Sequence, residues 1–181
     1  MKRWHVISHL IKKFQLKKIV EIGLWKGATA RHVLSERGDL EYVGVDAYRV
    51  QPNNESETYE TGENGHEWNH SKMIADMESF ESNTPNFTFM HMMSAEASKK
   101  FDDASIDLIF IDGDHSYEGC HGDIEAWWPK IRPGGIMMGH DYGPEWPGVL
   151  KAVDDFIRDN GSRIRDMGFR EHDNIWVLEK L

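Results

Sequence analysis

Three short segments of this chain carry residue types that could do chemistry. In the first, Val20-Glu21-Ile22-Gly23-Leu24-Trp25-Lys26-Gly27-Ala28-Thr29, an apolar run passes through an acid into two glycines. Glycines at a strand-to-helix turn let a ligand approach the backbone at a helix N-terminus, where free N–H groups favour a carboxylate or phosphate. The spacing is not the G-x-G-x-x-G of dinucleotide sites, and a tight structural turn would use the same glycines. Asp46, closing Tyr42-Val43-Gly44-Val45-Asp46, favours a nucleoside ligand. An acid about twenty residues past such a turn is placed to accept hydrogen bonds from ribose hydroxyls.

The other two segments place acids and histidines after apolar runs. Asp112 follows Leu108-Ile109-Phe110-Ile111, and Asp141 follows Ile136-Met137-Met138-Gly139-His140. Adjacent strands lie ~4.8 Å apart, so carboxylates ending two neighbours could share a divalent cation. His140 could be the third ligand or a base, and its imidazole would shift preference from Mg toward Mn or a transition metal. The alternative is that Asp141 only caps a loop. Asp114 and His115 precede a helix pattern starting at Ser116; capping suits Asp114, whereas His115, with an ordinary pKa of ~6.5, suits proton removal from a hydroxyl. His66, His70 and His121 show no ligand spacing.

These groups need a scaffold that brings strand ends together. Ile19–Gly23, Glu41–Asp46, Phe87–Met92, Ile106–Asp112 and Gly135–Gly139 read as strands. Between and after them, helical patterns cover Ala28–Arg37, His70–Phe80, Ala95–Phe101, Tyr117–Ile131 and Pro147–Asn160. Such alternation predicts a Rossmann-like α/β domain with a mostly parallel sheet and helices on both faces. Tyr117, Cys120, Ile124 and Trp127 share one helical face, as do Val149, Val153, Phe156 and Ile157. Pro133-Gly134-Gly135 is expected to stop the first helix, and Pro147 to open the second. Ser162–Phe169 and Asn174–Leu178 read as a C-terminal antiparallel hairpin, for seven strands. Residues 1–17 read as an amphipathic helix with Trp4, Ile7, Ile11 and Phe14 on one stripe and its lysines on a solvated face. The segment 48–69, rich in glutamate and without either period, is expected to be a substrate lid or a flexible insert.

At 181 residues and 39% hydrophobic content, residues 1–181 fit one domain. Cys120 is the single cysteine, which excludes an internal disulfide and suits a reducing compartment. No apolar run approaches the ~18–20 residues of a membrane span, and no signal peptide is evident, so a cytoplasmic protein without membrane partners is expected. Net charge is −10, and Lys2, Arg3, Lys12, Lys13, Lys17 and Lys18 all precede the first acid, Glu21. The acidic remainder argues against a nucleic-acid partner. A homo-oligomer stays open.

Taken in this order, these residues resemble a class I S-adenosylmethionine-dependent methyltransferase, of the family-24 group of small bacterial and viral members. The resemblance rests on Glu21-Ile22-Gly23 with Gly27 and Thr29, on Val45-Asp46, and on Phe110 to Gly119 continuing through Pro133-Gly134-Gly135 to Gly139-His140-Asp141-Tyr142. It implies S-adenosylmethionine as cofactor, with Glu21, Gly23, Lys26, Gly27 and Thr29 around its methionine half, Thr29 near the carboxylate, and Leu24 and Trp25 completing the turn. Asp46 would hold the ribose, Ser94, Ala95 and Glu96 would flank the adenine, and Asp112 would lie at the reacting centre. Related metal-dependent O-methyltransferases place acid pairs where this chain has His140-Asp141, which implies a small hydroxyl acceptor and a Mg or Mn site built from Asp112, His140 and Asp141. With no metal, His115 would be the base. A non-catalytic nucleoside-binding module and a nicotinamide oxidoreductase are the rival readings.

Overall fold

Residues 2–48, 70–168 and 173–181 are described by the computed structural model. Residues 49–69, which hold nearly all of the expected lid including Tyr59 and Trp68, lie outside the described residues.

The chain opens with α1 (Arg3–Phe14), then β1 (Lys18–Ile22), α2 (Ala28–Glu36) and β2 (Glu41–Val45). After the undescribed segment come α3 (His70–Ser82), β3 (Phe87–Met90), α4 (Ser94–Ser98), β4 (Ile106–Ile111), α5 (Tyr117–Trp127) and β5 (Ile131–Gly139). The last elements are α6 (Pro147–Asn160), β6 (Ile164–Gly168) and β7 (Trp176–Lys180). All seven strands form one sheet in the order β3-β2-β1-β4-β5-β7-β6. β7 runs antiparallel to both β5 and β6, and the other pairings are parallel.

The strands form where apolar residues are buried on both sides, as a parallel sheet under helices demands. Ile19, Leu108, Phe110, Ile136 and Met138 face the layer of α1, α2 and α3, while Val20, Ile22, Ile109, Ile111 and Met137 face α5 and α6. In α1 the buried stripe is Val6, Ile7, Leu10 and Ile11, with Trp4 and Phe14 at its margin. The helix is thereby clamped over the sheet beside α2. Pro147 opens α6 as expected.

Two local expectations change. α5 stops at Trp127, where Trp128-Pro129-Lys130 tightens into a 3₁₀ turn, so Pro129 and not Pro133-Gly134-Gly135 ends the helix. Pro133-Gly134-Gly135 lies inside β5, and the β4–β5 register shifts between Ile106 and Leu108 to accommodate it. The cap of α5 is Ser116, whose hydroxyl accepts from Gly119 N at 3.0 Å; Asp114 instead holds the preceding turn by accepting from Ser116 N at 2.8 Å.

Candidate active site

The carboxyl ends of β1, β4 and β5 meet in register: Ile22 pairs with Ile111, and Ile111 with Gly139. Backbone bonds continue one residue further, Asp112 N donating to Ile22 O at 2.8 Å and His140 N to Ile111 O at 3.1 Å. This stagger sets Gly23, Asp112 and His140 side by side at a sheet edge. Ligands bind at this kind of place in open α/β sheets, where the strand order reverses.

Gly23 has φ 87°, and a Cβ there would stand 2.1 Å from the Asp112 carbonyl oxygen. Only glycine fits both restrictions. Gly27, at φ 66°, caps α2 and lets Met77 approach. Between the glycines, Leu24 buries its side chain in the core, while Trp25 stays 44% exposed at φ 48°. Lys26 carries its Nζ over the Trp25 ring, 4.5 Å from the centroid. Asp46 fixes this turn: Oδ2 accepts from Leu24 N and Trp25 N, each at 2.9 Å, and Oδ1 from Tyr48 N at 2.7 Å. The Tyr48 hydroxyl adds a bond to Trp25 O at 2.6 Å.

Behind the turn lies a buried polar pocket. Glu21 is 1% exposed, and its Oε2 accepts from the Tyr42 hydroxyl at 2.7 Å. Burial pushes its carboxyl up from 4.5 to about 8, with the Asp112 charge adding to the rise and the Tyr42 bond opposing it. Glu21 is therefore largely protonated at neutral pH. Thr29 is also buried and accepts from Arg3 Nε at 3.2 Å; the same Nε lies 3.5 Å from Asp112 Oδ2.

At the ends of β4 and β5, Asp112, His115 and Asp141 bring one donor atom each within 4.8 Å of one another. His115 Nε2 lies 2.8 Å from Asp141 Oδ2, and His140 Nδ1 lies 2.9 Å from Asp141 Oδ1 and 3.5 Å from Asp112 Oδ1. His140 Nε2 is 3.6 Å from Asp173 Oδ2. Asp141 sits at φ 58°, a conformation that aspartate tolerates better than most residues. Burial would raise its carboxyl, but the bonds from His115 and His140 outweigh this and hold it below the usual range. Burial likewise works against charging His140, yet the Asp141 bond and the Asp112 charge raise its pKa above 6.5. Burial raises Asp112 despite Arg3. Trp146 covers His115, with ring centroids 4.3 Å apart.

Ser94, Ala95 and Glu96 form the first turn of α4, one strand beyond Asp46, whose N–H bonds Met90 O at 3.2 Å. The Ser94 hydroxyl accepts from Trp127 Nε1 at 2.8 Å, while Ala95 and Glu96 are exposed. The expected metal ligands Asp112, His140 and Asp141 do converge, but the tight donor set takes His115 as its imidazole. Arg3 and Asp173 belong to this cluster, and sequence reasoning missed both. Arg3 looks like one more cation on an amphipathic helix, and Asp173 lies in a polar turn before β7.

Comparisons with known proteins bear on the family and the fold. A family model described as a methyltransferase domain matches residues 20–142. Two curated relatives are uncharacterised proteins: one of Sinorhizobium fredii, 39% identical over 46 residues, and one of Acanthamoeba polyphaga mimivirus, 22% identical over 161. The matches cover 25% and 86% of this chain, and this chain spans 5% and 67% of those proteins. Among solved structures, a Podospora anserina methyltransferase bound to SAH has a TM-score of 0.65 at 16% identity, with 99% of this chain and 78% of that one covered. The O-methyltransferase NovP has a TM-score of 0.64 at 16% identity, over 98% and 79%. At such identities the likeness is one of fold. Among the described residues no helix is long and apolar enough to cross a membrane.

Proposed function

The chain belongs to this methyltransferase-domain family, of the class I S-adenosylmethionine-dependent type, and we propose that it transfers a methyl group from S-adenosylmethionine to the hydroxyl oxygen of a small molecule. The observation that carries the reading is the placement of Asp112, His115 and Asp141 beside the glycine turn of β1. We read residues 1–181 as one domain in which α1 closes the methionine end of the site.

The residues present fit the cofactor. Gly23 and Gly27 open the turn to close approach, and Glu21 and Thr29 are buried polar groups at its base. Asp46 spends three acceptor positions on backbone N–H groups, and a carboxylate offers about four, so one remains for a ribose hydroxyl. Ser94, Ala95 and Glu96 would flank the adenine. When bound, S-adenosylmethionine supplies a methyl group on a sulfonium, a leaving group that needs no activation. The protein's part is alignment and removal of a proton.

Asp112, His115 and Asp141 would hold a divalent cation, Mn or Mg, that lowers the pKa of the acceptor hydroxyl. His140 would then be the imidazole left to receive the acceptor hydroxyl's proton. Without a cation His115, oriented by Asp141, takes that role. Trp146, which covers His115, and Tyr142 would offer an acceptor ring a surface to stack on.

Calorimetry with S-adenosylhomocysteine and NAD side by side tests the cofactor. Micromolar binding of the first and none of the second is expected; the reverse would overturn the reading. Transfer of labelled methyl to a panel of small hydroxylated acceptors, before and after EDTA, tests the acceptor and the cation.

A further inference from the structure

The candidate cofactor pocket contains one cation that lies far from every motif. Arg3, in the first turn of α1, is 22% exposed and directs its guanidinium at Thr29 and Asp112. Only Nε is hydrogen-bonded, to Thr29 Oγ1 at 3.2 Å; neither Nη makes a hydrogen bond among the described residues. The arginine is held from behind. Its backbone N donates to Asp173 Oδ2 at 3.1 Å, and Val6, Ile7, Leu10 and Ile11 are fully buried beneath it, so the helix cannot swing away without opening the core.

We propose that Arg3 binds the carboxylate of the methionine end of S-adenosylmethionine, which makes α1 part of the cofactor site. This rests on the cofactor reading above. The methionine end is a zwitterion and needs one partner of each sign. Glu21 and Asp112 can serve its ammonium, which leaves the carboxylate to a cation. Lys26, the other cation of the turn, has its Nζ over Trp25. A guanidinium offers a planar fork that matches a carboxylate in two parallel bonds. Arg3 presents that fork next to Thr29 while its Nε is already fixed, so little side-chain freedom is lost on binding.

Calorimetry on wild type, Arg3→Ala and Arg3→Gln tests this with two ligands, S-adenosylhomocysteine and 5′-methylthioadenosine, which keeps the nucleoside and thioether but lacks the amino-acid end. Arg3→Ala should weaken S-adenosylhomocysteine by about tenfold or more and leave methylthioadenosine within about twofold, with Arg3→Gln giving a similar split. Equal weakening of both ligands would make Arg3 a structural residue, and tighter S-adenosylhomocysteine binding would make it a place-holder for the ammonium; either overturns the proposal. Failure of wild type to bind either ligand would overturn the cofactor reading itself, and Arg3's role with it.

Discussion

Glu21→Gln offers a direct test of the buried pocket. In the folded protein burial pushes the Glu21 carboxyl up to about 8, against 4.5 when solvated. The native state therefore holds a proton that the unfolded state has released throughout that window, and stability must fall as pH rises through it. One proton corresponds to about 1.4 kcal/mol per pH unit, so the window is worth several kcal/mol, roughly half of it between pH 5 and 7. The amide of Glu21→Gln keeps the shape and can still accept from Tyr42, but it does not titrate. Urea unfolding of both proteins at half-unit steps from pH 5 to 8.5 should show the variant gaining on wild type as pH rises. A difference that stays flat within about 0.5 kcal/mol would refute the buried, protonated Glu21. The same logic reaches the ligand: an ammonium brought beside Glu21 should expel this proton. Binding of S-adenosylhomocysteine at pH 7 should then release close to one proton, read as a buffer-dependent calorimetric enthalpy that Glu21→Gln abolishes.

Three further outcomes are expected. Asp46→Ala removes the acceptor for Leu24 N, Trp25 N and Tyr48 N, and should cost ~2–3 kcal/mol of stability in urea unfolding while weakening S-adenosylhomocysteine by ~1.5–3 kcal/mol. Gly23→Ala forces a Cβ to 2.1 Å from the Asp112 carbonyl at φ 87°, and thermal unfolding should report a loss above ~3 kcal/mol; a stable variant would mean the turn can relocate. Asp141→Ala should abolish methyl transfer and leave S-adenosylhomocysteine affinity within about twofold, and EDTA should stop turnover with Mn or Mg restoring it. Full activity in a metal-free preparation would remove the cation and leave His115 or His140 as base.

The strand-helix alternation and the positions of Asp46, Asp112, His140 and Asp141 were legible because each depends on local pattern: an apolar run ends, and the polar residue after it stands at the sheet edge. The end of α5 was misread because Pro133-Gly134-Gly135 carries the usual marks of a helix stop, and only the register shift against β4 lets that tripeptide sit inside a strand. The partnership of His115 with Asp141 depends on how the loops after β4 and β5 fold over one another, which no spacing encodes. Arg3 and Asp173 are less legible still. They meet although 170 positions apart in sequence, one from the first turn of α1 and one from the turn before β7, and nothing near either in sequence marks it as part of a site.

Asp112 stands between the two halves of the proposed site. Its Oδ2 lies 3.5 Å from Arg3 Nε on the side of the glycine turn, and its Oδ1 lies 3.5 Å from His140 Nδ1 on the side of β5. On the proposed reading each carboxylate oxygen would face one of the two ligands, β4 lying between β1 and β5 in the sheet. Burial raises the pKa of Asp112, and the positive charge of Arg3 opposes that rise. A cofactor carboxylate that shares the charge of Arg3 would reduce that opposition, and a cation on the other side would restore it. On the proposed reading, filling the methionine end of the site would strengthen the demand for positive charge beside the acceptor hydroxyl.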